Sequence, residues 1–259
     1  MEKKSDLSFG ISKEHERFRV KAYMKGYESK FAFFFDILTR SSTGPIKILE
    51  VGAHFGEDTQ RFLHTFGDRL EKIYCFEPDP RSIEVFMKHV SDERVSLFHS
   101  ALSNENGILP FYQSHNPHEL TVPEKYGWIE NDDYSRLRLA NSGASSLKKG
   151  YHLTLEKSID VDAVRYDNWA TENEISSIDL AWIDVQGAEK DVIEGMGAEV
   201  QNIKYVWIEF GEMQYEGSLS FIETVSLMTE KGFVLEGTTA TSPINSSGDA
   251  LFRFGNKNG

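Results

Sequence analysis

From Ile46 onward, short apolar runs of strand length alternate with amphipathic stretches of helical length, and this rhythm restricts the chain to very few folds. The runs are Ile46–Ala53, Ile73–Glu77, Val95–Leu102, Ile178–Val185, Ile203–Phe210, Phe233–Gly237 and Ala250–Phe254. Strands separated by helices imply βαβ units and an α/β fold with a largely parallel sheet, whose strands are buried on both faces and so lack polar alternation. The last two runs are joined by the Gly/Ser/Thr/Pro-rich stretch Gly237–Gly248 and read as an antiparallel hairpin closing the sheet. Binding sites in such a fold lie at the carboxyl ends of the strands.

The intervening helices are predicted at about Glu57–Phe66, Ala188–Met196 and Ser218–Lys231. Another is capped by Asp79, begins at Pro80 and carries the apolar stripe Ile83, Phe86, Met87 and Val90. Phe31, Phe34, Phe35 and Leu38 share one helical face, so residues 1–44 read as a helical extension that packs on the core or against a second copy. Residues 45–259 then form one domain, since 259 residues suit a single large core. The stretch Gln113–Gly143 breaks the rhythm: it is polar and aromatic without a clear period, and reads as a lid-like insertion.

Composition limits the partners. The net charge of -13 disfavours nucleic acid, whose binding depends on basic side chains. The single cysteine, Cys75, allows no internal disulfide and fits a reducing cytoplasm. Met1–Lys30 offers no secretory signal, and the apolar run Phe31–Leu38 is too short to span a bilayer. His115 and His118 flank a proline and lack an evident third partner, so no metal site is expected. His99, inside the third run, reads as a packed residue.

Three strand ends carry chemistry. Glu50-Val51-Gly52-Ala53-His54-Phe55-Gly56 breaks a strand into glycines where a helix should begin, which lets backbone approach a ligand closely. It is not G-x-G-x-x-G, so the pyrophosphate cradle of dinucleotide enzymes is missing. Phe76-Glu77-Pro78-Asp79-Pro80 ends the second run, where Glu77 can accept hydrogen bonds from both hydroxyls of a ribose. Trp182-Ile183-Asp184-Val185-Gln186-Gly187 ends the fourth, with Asp184 and Gln186 on one side if the strand persists. Each also has a plain structural use, as tight-turn packing, a helix N-terminal acid or a helix cap.

The ordered set Glu50–Thr59, Phe76–Pro80, Ser100-Ala101-Leu102-Ser103, Ser145-Ser146-Leu147 and Asp184–Glu189, with Asp167 before the fourth run, resembles the FkbM family of S-adenosylmethionine-dependent methyltransferases from about Ile46 to Phe210. The resemblance implies a Rossmann-like class I methyltransferase sheet of seven strands, mostly parallel, with helices on both faces. It implies that Glu50, Gly52, Ala53, His54, Gly56 and Thr59 line the methionine part and ribose of S-adenosyl-L-methionine. Glu77 and Pro78 would hold the ribose, Ser100 and Ala101 the adenine, and Asp184 the methionine amino group or the transferring methyl. Two residues depart from the family: His54 stands where asparagine is usual, and Gln186 where glutamate is frequent.

A methyltransferase of this kind aligns a substrate hydroxyl behind the sulfonium methyl, and a nearby base helps to take the proton. Asp184, His54 and Glu209 are the candidates, Asp184 foremost. The acceptor expected is a small hydroxylated molecule, such as a sugar or a polyketide-like product, and Tyr126, Trp128 and Tyr134 could pack it or pack the insertion onto the core. Two rival readings stay open: a nicotinamide-dependent oxidoreductase, opposed by the missing glycine pattern, and a non-catalytic module that binds an adenosyl ligand.

Overall fold

The computed structural model describes residues 35–39, 41, 44–119, 121–151, 155–212, 214–240 and 247–255. Most of the expected N-terminal extension, including Phe31 and Phe34, lies outside them. Residues 35–39 are helical, and Phe35 meets Phe62 and Phe66 edge-on at ring distances of 5.9 and 5.5 Å.

The main sheet has seven strands: β1 (Ile46–Val51), β2 (Leu70–Phe76), β3 (Val95–Phe98), β7 (Ile178–Ile183), β8 (Ile203–Gly211), β9 (Phe233–Thr238) and β10 (Ser247–Phe254), in the order β3-β2-β1-β7-β8-β10-β9. β1 pairs in parallel with both β2 and β7, whereas β10 runs antiparallel between β8 and β9. The mostly parallel sheet with its antiparallel close is thus as the sequence implied. β1 is apolar at Ile46, Ile48, Leu49 and Val51 because helices cover both its faces, and all four are buried. On one face, Trp182 stacks on Trp207 at 4.1 Å and meets Phe62 at 5.4 Å.

Helix α1 (Glu57–Phe66) starts after Gly56 at φ 87°, carries Glu57 and Asp58 in its first turn, and buries Thr59, Phe62 and Phe66. Helix α2 (Pro80–His89) opens as expected, with the Asp79 side chain accepting from the Arg81 N–H at 3.0 Å. Its stripe differs: Met87 is exposed, while Ser82 and Val85 are buried. The insertion covers that second flank, placing Val85 in an apolar cluster with Phe55, Ile129, Tyr134, Leu139 and Ala140.

The third run is divided. The chain bends at His99 and Ser100, leaves the main sheet after β3, and continues as β4 (Ala101–Leu102) in a second sheet of order β4-β6-β5. His99 sits exposed at the bend and is not packed in a strand. In that sheet β5 (Gly107–Ser114) pairs antiparallel with β6 (Leu155–Val164). The insertion contributes a short helix, α3 (Asn131–Arg136), and α4 (Tyr166–Glu172) precedes β7. Helices α5 (Glu189–Gly195) and α6 (Phe221–Glu230) follow β7 and β8, the latter opened by a capping box of Ser220 and Glu223.

Candidate active site

The strand order reverses between β1 and β7, and the ends of these strands meet the insertion in a crevice. Three backbone bonds build its floor. The N–H groups of Gly52 and Ala53 both donate to the Phe76 carbonyl, at 2.9 and 3.1 Å, and Asp184 N–H donates to the Val51 carbonyl at 3.0 Å. Gly52 has φ 87°, and a Cβ there would lie 1.9 Å from the Asp184 carbonyl oxygen, so only glycine lets the first turn press against the end of β7.

Glu77 is buried behind this turn. Its two carboxylate oxygens accept the backbone N–H groups of His54 and Asp79, each at 2.8 Å. Burial, and then the charge of Asp79, raise its carboxyl to about 7. Asp79 in turn is gripped by the Arg81 guanidinium, at 2.7 Å for the shortest contact, and by the Gln113 amide at 2.9 Å.

His54, at φ 49°, keeps its ring mostly covered and stacked on Phe55 at 3.5 Å. Nδ1 lies 3.3 Å from Glu57 Oε1 and Nε2 3.0 Å from Ser142 Oγ. Asp184 Oδ1 accepts from the Gln186 amide at 2.6 Å, and the same amide nitrogen donates to Glu209 Oε2 at 2.7 Å. The Tyr215 hydroxyl fixes the amide by donating to Gln186 Oε1 at 2.9 Å. Glu209 is held well above the usual carboxylate range by burial, then by Asp184, with which it shares a hydrogen bond.

Residues 142–147 lie across the crevice as a strap. Ser142 bonds to His54 after β1, the Ala144 carbonyl accepts from Tyr215 after β8, the Ser145 hydroxyl accepts from Arg81 after β2, and Ser146 donates to the Val185 carbonyl after β7. Beneath the strap is an inner cavity of about 60 Å³ bordered by Glu77, Pro78, Ser82, Ala101 and Phe111. An outer cleft of about 810 Å³ opens beside Glu57, Asp58, Glu119 and Tyr126. The two share Gly52, His54, Ser142, Gly143, Asp184 and Gln186 as their common wall.

The sequence-derived residues are distributed unevenly. Gly52, His54, Glu77, Pro78, Ala101 and Asp184 line the inner cavity, and Glu50 and Ala53 border the outer cleft. Glu50 is buried; it accepts from Thr59 Oγ1 at 2.6 Å, and burial, then the charge of Asp58, push its carboxyl up to about 8. Gly56 packs against Val90 and Phe86, Ser100 sits on the bend away from both cavities, and Glu209 lies behind Gln186 in a separate small recess. Tyr134 is buried in the cluster with Phe55 and also borders the outer cleft, Trp128 stands edge-on to His89, and Tyr126 lines the cleft and packs edge-on to Phe55. The structure adds Glu57, Ser82, Ser142 and Tyr215 to the residues around the crevice; Glu57 falls inside the Glu50–Thr59 run without a role of its own there, and Ser142 precedes the Ser145-Ser146-Leu147 triplet.

A crevice at a strand-order reversal, lacking the G-x-G-x-x-G cradle but with a buried carboxylate at the end of β2, is the architecture of a Rossmann-like domain. Residues 50–235 match the methyltransferase FkbM domain, and the chain belongs to that methyltransferase family. It is 29% identical over 208 residues to the 2-O-methyltransferase NoeI of Sinorhizobium fredii (strain NBRC 101917 / NGR234), covering 80% of this chain and 78% of that protein. Among solved structures it is similar to the methyltransferase FkbM of Methylobacillus flagellatus KT, with a TM-score of 0.48 and 11% identity over 81% of this chain. The chain spans 44% of that protein's length. It is also similar to M. capricolum TrmK in complex with S-adenosyl-homocysteine, with a TM-score of 0.45 and 8% identity, covering 86% of this chain and 68% of that one. Among the described residues, no helix is long and apolar enough to cross a membrane.

Proposed function

We propose that this methyltransferase uses S-adenosyl-L-methionine to methylate a hydroxyl of a small carbohydrate-like acceptor, with residues 45–259 as its catalytic domain. The observation that carries this reading is the pair of cavities meeting at one wall, a narrow one beside Glu77 and a wide one open to an acceptor, with His54 and Asp184 in the wall itself. Its relation to a 2-O-methyltransferase favours oxygen as the atom methylated.

The inner cavity fits an adenosyl group on two counts. Each Glu77 oxygen accepts one backbone N–H and keeps a further lone pair for a ribose hydroxyl. The Ser82 hydroxyl, 1% exposed and lining the cavity, has no hydrogen-bond partner among the described residues; a buried polar group of that kind is costly until a ligand satisfies it. At about 60 Å³ the cavity is smaller than the roughly 300 Å³ of an ordinary ligand pocket, so the strap at 142–147 has to back away for a nucleoside to enter.

When bound, the cofactor supplies an electrophilic methyl that needs no further activation. The chain's task is to place the acceptor oxygen in line with it and to exclude water. Asp184, tethered by Gln186, is positioned to hold the cofactor's ammonium, and the Gly52 turn lets backbone come close to its methionine part. The test is incubation with S-adenosylmethionine and a panel of methyl glycopyranosides, following release of S-adenosylhomocysteine and the methylated product by mass spectrometry. Release coupled to product is expected. Binding of S-adenosylhomocysteine with no methylated product across hydroxylated acceptors of several classes would replace this reading with a binding module.

A further inference from the structure

Where the acceptor's proton goes is written in the hydrogen bonds around His54. Glu57 receives three groups: His54 Nδ1 at 3.3 Å on Oε1, the Phe55 N–H at 3.2 Å on Oε2, and a hydrogen bond from Tyr126. Burial alone would raise its carboxyl, but the hydrogen bonds it accepts, that from His54 foremost, hold it below the usual value, so Glu57 stays ionised. An ionised carboxylate accepts and cannot donate. In the neutral imidazole, Nδ1 of His54 therefore carries the hydrogen, Nε2 is left as the acceptor, and the Ser142 hydroxyl is the donor across their 3.0 Å contact. Ser142 Oγ has no other partner among the described residues, and Ser142 lines both the inner cavity and the outer cleft. Its oxygen lone pairs are free to receive a hydroxyl.

We propose that Ser142, His54 and Glu57 form a proton relay in which Ser142 touches the acceptor hydroxyl, His54 takes the proton and Glu57 orients and stabilises the ring; this rests on the O-methyltransferase reading above. As the new oxygen–methyl bond forms, the methyl–sulfur bond breaks with its electron pair on sulfur. The acceptor's proton passes to Ser142 Oγ, Ser142's own proton passes to His54 Nε2, and the resulting imidazolium keeps its Nδ1–H on Glu57. The arrangement follows the logic of a base oriented by a third group, here assembled from two distant pieces of chain. His54 comes from the turn after β1 and Ser142 from the strap, so the relay is complete only when the strap is down.

Long-range nitrogen–proton correlation spectra of the ligand-free protein test the tautomer without any acceptor: a hydrogen on Nδ1 is expected, and a hydrogen on Nε2 instead would overturn the relay. In turnover with S-adenosylmethionine and a methyl glycopyranoside that the wild type methylates, Ser142→Ala should lower kcat at least 30-fold and leave S-adenosylhomocysteine affinity within about twofold, since positioned acid–base groups contribute roughly 100- to 10,000-fold. His54→Gly suits the positive φ and opens room for a free base; added imidazole should restore its rate at least tenfold. Wild-type kcat in Ser142→Ala, or no imidazole response in a His54→Gly protein that still binds S-adenosylhomocysteine, would refute the relay and leave the methyltransferase reading standing. Failure of the wild type to bind S-adenosylhomocysteine at all would instead remove the reading on which the relay rests.

Discussion

Replacing Glu77 by glutamine changes one atom in a buried site, and the consequences can be worked out. Both carboxylate oxygens are already committed to backbone N–H groups, of His54 and Asp79, at 2.8 Å each. A glutamine has one oxygen, so its amide must face one of those donors with N–H groups of its own, and one ribose hydroxyl loses its acceptor. A hydrogen bond to a charged group contributes about 1.5–3 kcal/mol, so S-adenosylhomocysteine should bind roughly 10- to 150-fold more weakly. The pH dependence gives a second signature. Burial, then Asp79, hold the Glu77 carboxyl at about 7, and the ionised form is the one that can accept from both hydroxyls. Wild-type affinity should therefore fall as pH drops below 7, by up to about tenfold per pH unit, while the glutamine variant should show no such slope. For folding the sign is opposite. A carboxyl raised in the folded state keeps a proton that the unfolded chain has released, so this residue's contribution to stability is lost as pH rises from 4.5 through 7. Isothermal titration at pH 6, 7 and 8 measures the binding terms; a glutamine variant within twofold of wild type at pH 8 would refute the reasoning.

Four further outcomes are expected. Asp184→Asn should weaken S-adenosylhomocysteine binding about tenfold without lowering the melting temperature, because it removes a charge beside Glu209, and undiminished affinity in a titration would count against Asp184 as the ammonium partner. Gly52→Ala places a Cβ 1.9 Å from the Asp184 carbonyl oxygen at a φ that alone costs about 1–2 kcal/mol, so urea unfolding should show a larger loss than that; a change under 1 kcal/mol would contradict the close packing of the two turns. Gln186→Glu exchanges an amide donor for a third carboxylate near Asp184 and Glu209, so the variant should be less stable at pH 8 than at pH 6, and equal denaturation midpoints would dismiss the repulsion. Tyr134→Ala, in the cluster with Phe55 and Val85, should cost about 3 kcal/mol in chemical denaturation; a negligible change would mean that the insertion does not help hold the domain together.

Apolar runs and cap residues made the main sheet legible, because a parallel strand buried on both faces cannot be confused with its surroundings. β1, β2, β7 and β8 and the helices opened by Asp79 and Ser220 appear within a few residues of their expected bounds. The smaller sheet was missed because β6 hides its apolar positions between charges: Val161 and Ala163 point inward, but Asp160 and Asp162 alternate with them. Likewise Val95–Leu102 was read as one strand since nothing in the run marks the bend at His99 and Ser100, which arises from β4 pairing with the distant Ala163 and Val164. In the site, the glycine turn, Glu77 and Asp184 were visible because each ends a predicted strand. Ser142 was not, as it sits in a stretch without a period, and its role depends on a contact 88 positions away in the chain.

The place of β10 governs the order in which the domain can be completed. Among the described residues β9 has no strand neighbour except β10, and β10 is wedged antiparallel between β9 and β8. Until residues 247–254 arrive, β8 keeps an open flank and β9 has nothing to join, leaving two unsatisfied strand borders on a nascent chain whose crevice is otherwise assembled. A ribosome stalled before residue 247 would thus hold a sticky intermediate, for which chaperone capture is the natural safeguard.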